Sequence, residues 1–198
     1  MKLRYLATVV CVALTTVAAH AQNQGNVGLY FNPLATRVSN TVIDNSPFSF
    51  LGQNSTSNVF YGFDMGGYYD FFHAGSLATG FDARFSDQHA SNAALKNFQI
   101  GLRFSATPFK RPFRPYIQAS IGEGSTKAQV STVHVKKVDY AIVGGVDYAF
   151  AKHVDFRIFE IGYNPLTTVS SATVGQGGNV AIPPSKLINF SSGLVFRF

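Results

Sequence analysis

Apolar and polar residues alternate singly along most of this chain. In KNFQIGLRFSA (96–106), Phe98, Ile100, Leu102, Phe104 and Ala106 share one parity, while Asn97, Gln99, Gly101, Arg103 and Ser105 take the other. SLATGFDARF (76–85) sets Leu77, Phe81, Ala83 and Phe85 against Gly80, Asp82 and Arg84. In KKVDYAIVGGVDYAF (136–150), Val138, Tyr140, Ile142, Val146, Tyr148 and Phe150 share a parity, and Asp139, Ala141, Gly145 and Asp147 fall on the other. A period of two is that of a strand; an amphipathic helix would repeat at 3.6. The pattern predicts strands at about 24–33, 58–72, 76–86, 96–107, 113–125, 135–150, 153–163 and 186–198. One segment breaks it. In HVDFRIFEIGY (153–163), Phe159 and Glu160 exchange parity. Either a β-bulge near Ile158 to Glu160 restores the alternation, or Glu160 lies high enough to meet water.

The connections alternate in length. HAGS (73–76), PFKRPF (108–113) and AKH (151–153) are short, whereas 34–57, 87–95, 126–134 and 164–185 are longer. Antiparallel neighbours joined this way form an up-and-down meander with tight turns at one end. An even strand number and that asymmetry fit a transmembrane barrel. Each segment also supplies the ~9–11 residues that a tilted membrane strand needs. The faces choose between this and a soluble lipocalin-like barrel. The polar parity is mostly small or hydrogen-bonding and lacks a carpet of Lys and Glu, while the apolar parity carries aromatics too large for a narrow interior. The fold expected is all-β: one eight-stranded antiparallel up-and-down transmembrane β-barrel.

Composition supports this. Charged residues make up 13% and apolar ones 46%, with 19 Phe, 9 Tyr, 18 Gly and no Trp. Aromatics of this kind favour strands. The chain opens with MKLR, then the apolar run YLATVVCVALTTVAA and a small-x-small AHA at 19–21. This pattern predicts a secretory signal peptide over 1–21 and a barrel over 22–198. Val10 before Cys11 argues against a lipoprotein signal. Cys11 is the only cysteine, so the remainder can form no disulfide, thiolate metal site or Cys nucleophile. No metal or cofactor is expected.

RPYIQASIGEG (114–124), GGVDYAF (144–150) and SSGLVFRF (191–198) together resemble the small eight-stranded outer-membrane barrels of Gram-negative bacteria, the OmpA- and OmpX-like porin-family domains. The resemblance implies an outer-membrane location with both termini periplasmic. It implies a terminal strand read by the barrel-assembly machinery, with Phe190, Leu194, Phe196 and Phe198 as its signal. Unlike full-length OmpA, the chain is expected to lack a peptidoglycan-binding domain after Phe198.

The polar parity places Asp64, Asp82, Arg84, Arg103, Asp139, Asp147, Asp155, Arg157 and Arg197 in one lumen. Buried charges persist only when paired, so an interior ion-pair network is expected, with a narrow ion or solute channel as the alternative. Lys96, Lys127, Lys136, Lys137 and Lys186 fall towards the longer loops, where lipopolysaccharide phosphates would meet them. Lys110, Arg111 and Arg114 cluster in an opposite turn. Despite a net charge of +6, the compartment excludes nucleic acid. HASN (89–92) matches the His-x-Ser-Asn of lipid A deacylases, but it sits in a predicted second outer loop rather than near the C-terminus. His73 and His153 lie in the opposite turns, and His134 reads as a loop residue. The expected role is therefore non-enzymatic: envelope integrity, or surface contact by a monomer whose outer loops meet an unidentified partner.

Overall fold

The structure, a computed structural model, describes residues 26–106, 112–130, 132–175 and 183–198. The expected signal segment, Lys110 and Arg111 lie outside them. Eight strands follow one another: β1 (Val27–Ser39), β2 (Ser57–Ala74), β3 (Leu77–Ala90), β4 (Ala93–Ala106), β5 (Phe113–Lys127), β6 (His134–Ala151), β7 (Val154–Leu166) and β8 (Ser185–Arg197). Each pairs antiparallel with the next, and β8 returns to β1, closing the barrel. Closure removes the sheet edge, so no ladder is left open to hydrocarbon.

The alternation places large apolar side chains outside. Phe31, Phe81, Phe98, Ile121, Ile142 and Phe190 are each more than half exposed, whereas Asp64, Arg103, Asp139 and Arg157 are buried. Such an apolar exterior around a charged interior belongs to a chain that lipid surrounds.

Two expectations change and one open choice is decided. β1 runs to Ser39 instead of stopping at 33, because Leu34, Thr36 and Val38 continue the inward parity. There the lumen lining turns apolar, which hides the alternation. The connection expected over 87–95 shrinks to the two-residue turn Ser91-Asn92, with Ser91 at φ 53°. Alanines at 90, 93 and 94 carry no contrast between faces, so the strands were invisible there. The bulge near Glu160 is present: pairing of β7 with β8 shifts between Arg157 and Glu160. Ile158 and Phe159 both face outwards as a result, and Glu160 turns into the lumen.

The closing seam is itself irregular. Pairing of β1 with β8 skips from Phe31–Leu194 to Leu34–Ser191, across Pro33, which has no N–H to give. On the other side of β8, where the β7 bulge interrupts the ladder, Ser192 Oγ donates to the Arg157 carbonyl at 2.9 Å.

Glycines make room for three lumen tyrosines. A Cβ on Gly145 would lie 2.7 Å from Tyr116 Oη and 2.8 Å from the Phe159 carbonyl oxygen. Gly145→Ala should therefore destabilise the barrel by about 1–3 kcal/mol through overpacking. Urea-induced unfolding in lipid vesicles measures this; an unchanged midpoint would show that Tyr116 shifts without penalty.

Candidate functional site

The lumen is built in layers, and its centre is Glu160. The bulge in β7 aims this carboxylate inward. Arg84 from β3 donates to both its oxygens, Nη1 to Oε1 at 2.6 Å and Nη2 to Oε2 at 2.8 Å. Arg157 Nη1 adds a bond at 3.0 Å, Ser191 Oγ one at 3.2 Å, and the Tyr116 hydroxyl another. Two guanidiniums on one carboxylate supply the compensation that burial demands.

Arg157 also ties this hub to Asp147, its Nε reaching Oδ1 at 2.9 Å, while Arg103 Nη2 reaches Asp147 Oδ2 at 2.9 Å. Arg103 lies between the rings of Tyr68 and Tyr116, 4.0 and 3.9 Å from their centroids. Arg157 sits similarly against Tyr30 and Tyr116 at 4.6 and 4.8 Å. These faces solvate the cations where water cannot. Asp82 accepts from the Tyr30 hydroxyl at 3.0 Å and from Gln118 at 2.7 Å. Asp64 accepts from Asn32 at 3.1 Å.

Towards the short turns, Asp155 meets Arg114 at 2.8 Å and Arg197 at 3.0 Å. Arg114 thus belongs to the lumen, a correction to its expected place in a turn cluster: it is two residues inside β5 and shares the inward parity. Towards the long loops, Asp139 is held by neutral amides, Gln99 at 2.7 Å and Asn164 at 3.1 Å. The structure brings all nine sequence-assigned charges inside. Sequence reasoning missed Asp70, Arg114 and the three tyrosines, and left Glu160 open. The tyrosines share parity with the charges, which was the available signal.

Above the amides the lining becomes apolar. Val38, Phe60, Leu95, Leu166 and Leu187 from the wall enclose Phe50 and Leu51 from the β1–β2 loop and Val169 from the β7–β8 loop. Phe50 stacks on Phe60 with centroids 4.8 Å apart. Asp44 joins the two loops: it accepts from Ser171 N at 3.0 Å and from Ser46 N at 3.0 Å. Partial burial alone would raise its carboxyl, but the hydrogen bonds from Ser46 and Ser171 prevail and hold it below the usual aspartate value.

The lysines stand at the same end. Lys96 pairs with Asp87 and Lys136 with Glu123, each at 2.8 Å, on the outer face. Lys137 and Lys186 are exposed and Lys127 is half-buried. His89 is exposed and lies 3.0 Å from Asp87. The HASN segment is thus a strand end and a hairpin turn rather than the expected loop, and no hydrogen bond among the described residues joins His89 to Ser91. His153 Nδ1 lies 3.0 Å from the Arg197 carbonyl oxygen, and His73 is exposed. Among the described residues no cluster of His, Cys, Asp and Glu could hold a metal ion.

The outer membrane protein beta-barrel domain model matches residues 8–198. The chain belongs to this family. Membership implies an outer-membrane location. Neisserial surface protein A shares the fold with a TM-score of 0.57 at 15% identity, over 87% of this chain and 97% of that one. Ail, the attachment invasion locus protein of Yersinia pestis, gives 0.55 at 10% identity, over 88% and 99%. Ail in complex with the heparin analogue sucrose octasulfate gives 0.51 at 11%, over 87% and 97%. No curated protein matches the sequence.

Two outcomes are expected of this barrel. Glu160→Gln leaves Arg84 and Arg157 facing a neutral amide and should cost about 3–5 kcal/mol, whereas Lys136→Ala on the outer face should cost at most about 1 kcal/mol. Equal urea midpoints for the two variants would refute the hub. For Asp44, the folded carboxyl titrates below the ordinary 3.8, so its stabilisation is complete above that pH and disappears as pH falls through the lower folded value. Protease protection of residues 40–56 should be level from pH 8 to 5 and fall only below about 3.8; a loss near pH 6 would implicate another group.

Proposed function

We propose that this protein is a closed outer-membrane barrel with a structural and interactive role, acting through its outer loops without catalysis. The observation that carries this is the Arg84–Glu160–Arg157–Asp147–Arg103 chain, which crosses the lumen with every member buried. An eight-stranded interior is just wide enough for side chains, and this one is occupied by ion-paired groups that would have to separate before an ion passed. The apolar layer at the long-loop mouth adds a second obstruction. What remains accessible is the loop surface, and loops on a rigid scaffold are where contacts with a partner are made.

Lipopolysaccharide is the ligand proposed for the rim. Lys127, Lys137 and Lys186 have no carboxylate within ion-pair distance among the described residues, which leaves them available to phosphate as point charges. The heparin analogue bound by Ail is a polyanion held on a barrel of the same fold, and this supports the reading. The terminal strand, with Phe190, Leu194, Phe196 and Phe198 all on the outer face, suits recognition by the barrel-assembly machinery during insertion. The barrel would work as a monomer.

Planar bilayers test closure. Wild-type protein should give no ohmic single-channel steps; steps that disappear in Arg84→Ala or Arg103→Ala would instead establish a channel lined by these residues. For the rim, a Lys127→Ala, Lys137→Ala, Lys186→Ala variant should bind lipopolysaccharide several-fold more weakly than wild type, and equally weak binding of dephosphorylated lipopolysaccharide by both would identify phosphate as the group read.

A further inference from the structure

We propose that the apolar cage at the long-loop mouth is a binding site for a small apolar molecule carrying one hydrogen-bond donor, and that Phe50 is its built-in competitor. The inference stands whether or not the lumen conducts.

The interior of this barrel is mostly polar and charged from the short turns up to the layer of Asp139, with Val143 and Val195 buried among the charges. It then changes character within one or two residues on β1, β2, β4, β7 and β8. Val38 of β1, Phe60 of β2, Leu95 of β4, Leu166 of β7 and Leu187 of β8 point inward and are fully buried. They lie where the lumen opens to the long loops, at the end of the barrel where apolar lining is least expected of a water-facing mouth. The other wall members of this cluster, Ala90 and Ala93, are too small to fill the space between them. It is filled by Phe50 and Leu51, which reach it from a loop seventeen residues long (40–56). The loop turns sharply just beyond them, at Gly52, φ 93°. Phe50 therefore enters the cage as a ligand would: by an aromatic ring, stacked on Phe60, from outside.

The floor adds an independent sign. Gln88 and Asn97 are buried, and Gln88 Oε1 and Asn97 Oδ1 have no hydrogen-bond partner among the described residues. Both border the cage. Gln88 is paired across the sheet with Leu95. Asn97 Oδ1 and Leu166 both lie against Gly124, 3.2 and 2.8 Å from where its Cβ would stand. Unpaired buried acceptors are costly, and a phenylalanine ring has nothing to offer them. An apolar body with a hydroxyl or N–H at its tip would fill the cage and give one of these acceptors, Asn97 Oδ1, its donor. An apolar cavity of ring size, once vacated, stays dry and binds a ring such as benzene; the buried acceptor adds the preference for a donor.

Release requires the loop to move, and its hold on the opposite loop is narrow: Asp44 to the Ser171 amide and hydroxyl, at 3.0 and 3.4 Å. The exchange is a swap of one apolar occupant for another, so it needs no change in the barrel wall.

The test uses full-length protein purified from the membrane, with 4-fluorophenol and fluorobenzene as probes followed by fluorine NMR in one detergent. Phe50→Ala should bind 4-fluorophenol saturably and at least tenfold more tightly than wild type, with fluorobenzene weaker. Adding Asn97→Leu should abolish the preference between probes. Independently, Asp44→Cys with Ser171→Cys in a Cys11→Ser background pins the loop: the oxidised form should bind neither probe, and reduction should restore phenol binding. Retained heat-modifiable gel mobility shows that each variant is folded. If Phe50→Ala folds and binds no better than wild type, or if oxidised and reduced forms bind alike, the site does not exist; if Phe50→Ala fails to fold, the cysteine pair decides.

Discussion

A carboxylate in the middle of an eight-stranded barrel cannot be reached by enough water to solvate it. Glu160 is in that position, and the neighbouring lumen chemistry answers it. Two arginines neutralise it, a second carboxylate at Asp147 balances the surplus guanidinium, and tyrosine faces cover the exposed planes of the cations. The tyrosines in turn need space, which is why glycines stand opposite them in the strands. Removing one charge from such a set leaves its partners buried and unpaired, which is worse than never having had them.

Much of this was legible in the sequence, because hydrocarbon imposes a simple rule on a wall of strands. Wherever the outer face is Phe98, Ile100 and Leu102 and the inner face Gln99, Gly101 and Arg103, the period of two is plain. It fails for definable reasons. From Leu34 to Val38 the inner face turns apolar at Leu34 and Val38 while the outer face carries Arg37, so the usual contrast is lost and a strand looks like a loop. Around Ala90 to Ala94 neither face has contrast. At Glu160 the backbone itself inserts a residue. Pairings between charges could not be read at all, since Arg84 and Glu160 are 76 positions apart and only the closed topology places them together.

The loop mouth was illegible for another reason. Phe50, Leu51 and Val169 lie in segments rich in Ser, Thr and Asn, where isolated apolar residues carry no periodicity. Their burial depends on where the strands end in space. A core forms there that neither strand nor loop sequence announces alone, and it makes the barrel two solvents deep: ionic at the centre, hydrocarbon-like at the mouth.

The irregular join of β1 and β8 has a mechanical meaning. Every other strand pair in the ring is linked covalently at one end by a turn or loop, but this pair is linked only by its ladder. That ladder also skips two pairs, at Asn32 and Pro33. Under lateral tension from the bilayer, the wall has a single line along which it can unzip without bending a turn, and it runs beside the Glu160 hub. The ionic hub then acts as a rivet across that line, since Arg157 and Glu160 of β7 grip Asp147 of β6, Arg84 of β3 and Ser191 of β8 across the interior.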